Sequence, residues 1–178
     1  MRHGLDFDLV WARVNQFLTE VPYRNSITFI VTMNNLSVTS LPKLIAGILD
    51  LRKKHSSTYQ RIWFDTPVLR QPAWQSLQLL PESYVGQLDK LKTSMQQDIE
   101  TEETRFHGFK DYEIARLDRD IAWMRNGQQL DKEYLQTNKA DFYRFFTEAD
   151  HRHDTDFLAT FPEMKSWWTE CKYYDRQS

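Results

Sequence analysis

A single cysteine in 178 residues, Cys171, excludes an internal disulfide and cannot by itself supply the several thiolates of a structural zinc or iron–sulfur site. Long apolar runs are missing as well. None approaches the roughly 20 residues that span a bilayer, and the opening MRHGLDFDLV lacks the apolar core of a signal peptide. A cytoplasmic protein with no membrane attachment is the expectation. Charge of one sign is also absent: 23 basic and 25 acidic residues leave a formal net charge of −2, so no uniform basic field draws a nucleic-acid partner. GxSxG, P-loop, HExxH and GxGxxG motifs do not occur.

What is present is the composition of one soluble domain, 40% hydrophobic and 27% charged. Phe7, Val10, Trp11, Val14, Phe17 and Leu18 recur at helical spacing from about Asp6, a capping residue, to Glu20. SITFIVTM, Ser26 to Met33, is rich in β-branched and aromatic residues and reads as a strand buried on both faces. After NNLSVTS, Ser40 can cap a helix carrying the stripe Leu41, Leu44, Ile45, Ile48 and Leu49. RIWFD then gives a second strand. Helix, strand, helix, strand is the rhythm of a parallel sheet, so the fold class is α/β.

From Pro81 the pattern turns helical. Leu88, Leu91, Met95 and Ile99 mark one helix, and Tyr112, Leu117, Ile121 and Met124 mark another ending at Gly127. DFYRFFTEAD and FPEMKSWWTEC supply two more, with Asp154 or Thr155 turning the chain and Pro162 opening the last. This divides the chain into residues 1–80, a β/α unit, and 81–178, a helical extension. Two parallel strands do not make a self-sufficient sheet, because parallel sheets normally have several strands covered on both faces.

The order RHGLDFDLVWARVNQFL, SITFIVTMNNLSVTSLPKLIAGILDLRKKH, RIWFDTPVLRQPAWQSLQLLP resembles the second half of a radical S-adenosylmethionine domain of the Twitch or SPASM type. The later FYRFFTEADHRHDTDFLATFPEM is similar to helical segments from the C-terminal part of such proteins. The resemblance implies a partial parallel (β/α) barrel with two strands followed by a mainly helical region. It also implies, for the full-length family, S-adenosylmethionine and a four-iron four-sulfur cluster. The CxxxCxxC motif that holds that cluster is absent from this sequence. The chain is therefore expected to bind no cofactor alone, to be catalytically incompetent alone, and to pair with an N-terminal half-barrel polypeptide or with itself. The alternative is a non-enzymatic homo-oligomeric binding or assembly protein.

Candidate site residues follow the carboxyl ends of the two strands, where parallel α/β folds bind ligands. Asn34, Asn35 and Asp65 are the cofactor-binding candidates, and Thr32 and Arg70 the substrate-binding ones. By period-two parity Thr28, Thr32 and Asn34 share a face. Each has a plainer reading: asparagine suits turns, and Asp65 and Arg70 can pair with each other. No metal site is expected in DHRHDTD, because His151 and His153, two apart on a helix, point about 200° from one another.

Overall fold

In a computed structural model, residues 6–21 and 25–177 are described; of the segments quoted above, the part of the first before Asp6 lies outside them. The order is α1 (Phe7–Glu20), β1 (Ile27–Ile30), α2 (Leu41–His55), β2 (Ile62–Asp65), α3 (Glu82–Gln97), α4 (Asp111–Asn126), α5 (Lys132–His153), the short α6 (Phe157–Thr160) and α7 (Lys165–Asp175). Helix dominates, and β1 and β2 pair in parallel, Ile27 opposite Ile62 and Ile30 opposite Asp65. Pairing resumes beyond the strands, where Met33 and Leu69 exchange bonds with Pro67 and Met33 carbonyls. Among the described residues no helix is long and apolar enough to cross a membrane.

The sheet is covered on one side. Ile62, Phe64 and Thr66 are buried against the helices, while Thr28, Ile30 and Thr32 on the other face are exposed, Ile30 at 73%. The expectation of a strand buried on both faces is thus corrected. Its apolar run is the same on paper for one covered face as for two, and among the described residues no element packs over Ile30. Strand β1 is also shorter than SITFIVTM, ending at Ile30.

Arg52 ties the layers together. From α2 its guanidinium makes a two-pronged bond to Glu113 at the start of α4, Nη1 to Oε2 at 2.9 Å and Nη2 to Oε1 at 2.6 Å. Two further hydrogens go to the Ile62 and Gly108 carbonyls, and its cation lies over the rings of Phe64 and Phe109. Both side chains are fully buried. Glu113 also accepts from the Lys110 backbone amide, closing the N-terminal turn of α4. Gly108 is required here because a Cβ would meet the Asp98 carbonyl at 2.6 Å.

A second buried arginine, Arg61, donates only to carbonyls: Leu18 and Val21 at the end of α1, Asn25 before β1, and His55 at the end of α2. A cation there suits two helix C-termini. Beside it, burial lowers the His55 pKa, helped by Lys54 and Arg61.

One hydrophobic core runs from Leu18 through Ile48, Phe64, Leu88 and Ile121 to Trp167 and Cys171. Sequence boundaries shift in places. α5 is 22 residues, far beyond DFYRFFTEAD. Ile99 lies past α3, bridging Phe109 instead. Asp154, with φ 51°, ends α5, and Asp156 rather than Asp154 caps the next helix. Asp6 caps α1 by accepting from the Leu9 amide.

Removing one partner of the Arg52–Glu113 pair leaves an uncompensated buried charge. Glu113→Ala is expected to cost about 3–5 kcal/mol in urea unfolding, and Arg52→Met with Glu113→Leu distinctly less. Equal losses in both variants would show that packing rather than charge dominates.

Candidate functional site

The carboxyl ends of β1 and β2 meet the flank of α4. Asn34 is spent locally: its Oδ1 accepts from the Leu36 and Ser37 amides at 2.9 and 3.0 Å, an Asx turn that starts the loop into α2. Asn35 is fully buried, and its amide donates to the Trp74 carbonyl at 2.9 Å while its backbone N–H donates to Gln75. It clips the loop after β1 to the loop after β2, and its Oδ1 accepts no hydrogen bond from the described residues. Thr32 stands exposed on the open face of the sheet.

Asp65 lies at the end of β2 on the same face as Ile30. Its carboxylate accepts from the Thr66 amide at 2.8 Å and pairs with Arg116 of α4, also at 2.8 Å, both side chains partly exposed. The partner weighed from sequence, Arg70, instead lays its guanidinium over the Trp123 ring, 5.6 Å from the centroid. It forms no ion pair with the described residues and remains exposed at the rim, where its planar fork can hold a carboxylate or phosphate.

Beneath this rim is Asp120 of α4. It is fully buried, and neither oxygen makes a hydrogen bond to the described residues; the Arg119 guanidinium is 3.6 Å away. Burial raises its pKa, with the Thr66 hydroxyl and Arg119 pulling it part of the way back and Asp65 pushing it up. The buried Thr66 hydroxyl faces this carboxylate. A fully buried carboxylate whose ion-pair partner stands 3.6 Å off, with no tighter hydrogen bond from the described residues, marks this corner as a candidate site. Together the corner offers acceptors inside, from Asp120 and Thr66, and cations outside, from Arg70, Arg116 and Arg119.

The strand ends thus bring Thr32, Asp65 and Thr66 to one edge, while Asn34 and Asn35 turn into the loops. Sequence reasoning missed Arg116, Asp120 and Trp123. Their spacing of four and three defines a second stripe on α4, beside the apolar one of Leu117, Ile121 and Met124. That polar stripe was the available signal.

The lone cysteine sits elsewhere. Cys171 of α7 is fully buried, and burial pushes its thiol far above the ordinary range, so it behaves as a small core residue. Nor do any three histidine, cysteine, aspartate or glutamate residues among those described converge on a metal position. In DHRHDTD, Asp150 accepts from the Thr155 hydroxyl and the Phe157 amide, and Asp156 caps α6.

Asp120 generates a signed prediction. Because its pKa is higher folded than unfolded, its favourable contribution is full below the unfolded value near 3.8 and is lost as pH rises through the folded pKa. At neutral pH the carboxylate therefore costs stability. Asp120→Asn should raise Tm at pH 7.5 and do so less at pH 4; a Tm change that is the same at both pH values would contradict the assignment. Comparisons with protein-family models, with curated proteins and with solved structures return no match to this chain.

Proposed function

We propose that the chain is the C-terminal portion of a radical S-adenosylmethionine-like enzyme, a partial (β/α) barrel that contributes one wall of a cofactor and substrate pocket and is incompetent alone. The observation that carries this reading is the half-covered parallel sheet. Parallel strands are ordinarily packed on both faces, yet here Thr28, Ile30 and Thr32 of one strand segment face solvent beside the half-buried Trp63 and Asp65 of the other. A further run of parallel strands, supplied by an N-terminal half-barrel polypeptide, would turn that face into a barrel interior. The apolar residues Phe7, Leu9, Val10 and Phe17, exposed on α1, would meet its helices.

In this reading Thr32 and Asp65 line the pocket and Arg70 anchors an anionic group of the substrate at its mouth, with Arg116 holding the Asp65 carboxylate in place. Asn34 and Asn35 shape the loop behind them. The four-iron four-sulfur cluster does not fit this chain, whose single thiol is sealed in the core. The partner would bring it, so no chemical step is assigned to these residues.

Light scattering of the protein with and without the polypeptide encoded immediately upstream tests the reading. A one-to-one, cluster-bearing complex is expected, and Ile30→Lys, at a position exposed in the free chain, should abolish it while leaving Tm within a degree or two. A homodimer that ignores the neighbour and is broken by the same substitution would replace this reading with a self-assembling binding protein, whose second copy covers the sheet.

A further inference from the structure

Between α5 and α6, away from the sheet, lies a cleft of about 330 Å³ walled by phenylalanine. Phe145 and Phe146 come from α5, Phe157 from α6, and Phe161 from the residue that follows it. Successive rings are 5.2, 5.3 and 5.2 Å apart, so the walls form one continuous aromatic surface. The elbow between the helices is held firmly. Asp154 closes α5 in the left-handed region, Asp156 caps α6, and Asp150 spans the turn. Trp74 buttresses the outer wall, its ring 4.3 Å from that of Phe145. Even so, Phe145 keeps 48% of its surface in water.

The charge inside is negative. Asp150 lines the cleft, and its two oxygens accept from a hydroxyl and a backbone amide, neutral donors that orient the carboxylate without neutralising it. Ring faces carry negative quadrupole potential and attract cations, yet they accept only weakly from an N–H. A cation seated among phenylalanines is best satisfied when it has no hydrogens to donate. The volume falls at the small end of the range for small-molecule sites.

We propose that this cleft binds a small quaternary ammonium compound, its methylated head against the Phe145, Phe146, Phe157 and Phe161 rings and its charge complemented by Asp150. The cleft does not include the exposed face of the sheet, although Gln75 in its wall is bonded by the Asn35 amide. His153 stands at the mouth.

The test titrates choline into the whole chain at pH 8, following backbone amide shifts by NMR, with 3,3-dimethylbutan-1-ol as the uncharged isostere. Saturable shifts confined to α5, α6 and the adjoining Trp74–Gln75 turn are expected, with the isostere binding at least about tenfold more weakly, in line with a desolvated cation–ring contact. Phe145→Leu keeps an apolar side chain at a half-exposed position and should weaken choline several-fold without moving Tm. Ala149→Phe, which fills the cleft, should abolish binding while the amide spectrum elsewhere stays unchanged. Equal affinity for the isostere would overturn the proposal in favour of a merely apolar cleft. Unsaturated or scattered shifts at tens of millimolar choline, or an unchanged Phe145→Leu affinity, would overturn it outright.

Discussion

The buried pair of Arg52 and Glu113 is the constraint on which the rest of the structure depends. It joins residues 61 apart in sequence and fixes α2, β2, the loop at Gly108 and the first turn of α4 through a single guanidinium. Desolvating two charges is costly, and the attraction repays it only when every remaining hydrogen and lone pair is used. Here the arginine reaches two carbonyls and two rings besides its carboxylate, and the carboxylate also takes a backbone amide. Its benefit lies less in net stability than in uniqueness of arrangement, since few alternative packings of these elements satisfy both ions.

That arrangement decides where chemistry can occur. With α4 locked against the sheet by its first turn, its later turns carry Arg116, Asp120 and Trp123 past the end of β2. Asp120 is buried there because the helix is held close, not because its own interactions favour it. The same lock leaves the opposite sheet face bare. Among the described residues nothing covers Thr28, Ile30 and Thr32, a departure from the usual two-sided packing of parallel strands.

Much of this was legible in the sequence. The α/β opening, the switch to helices after Pro81 and the Asp6 cap all follow from periodicity and cap chemistry. Which face of β1 is covered did not follow, because Ile27 to Met33 are apolar or β-branched on both parities. The asparagines illustrate another limit: turn and ligand roles use the same amide, and only geometry shows Asn34 serving its own loop and Asn35 reaching Trp74. Long-range ion pairs were hidden for a different reason. Helical register sets Arg52 in line with Ile48 and Leu49, and Arg116 in line with Asp120, but it does not name the partner of either, which is set by tertiary distance.

Arg61 bears on the order in which the molecule assembles. Its guanidinium collects carbonyls from the end of α1, up to 43 residues earlier in the chain. During synthesis α1 emerges long before that latch exists, and closing so long a loop delays the reward for docking it. Helix α1 is thus made before the residue that secures it. A nascent chain would hold its apolar stripe available throughout the interval, when another polypeptide still has access to it.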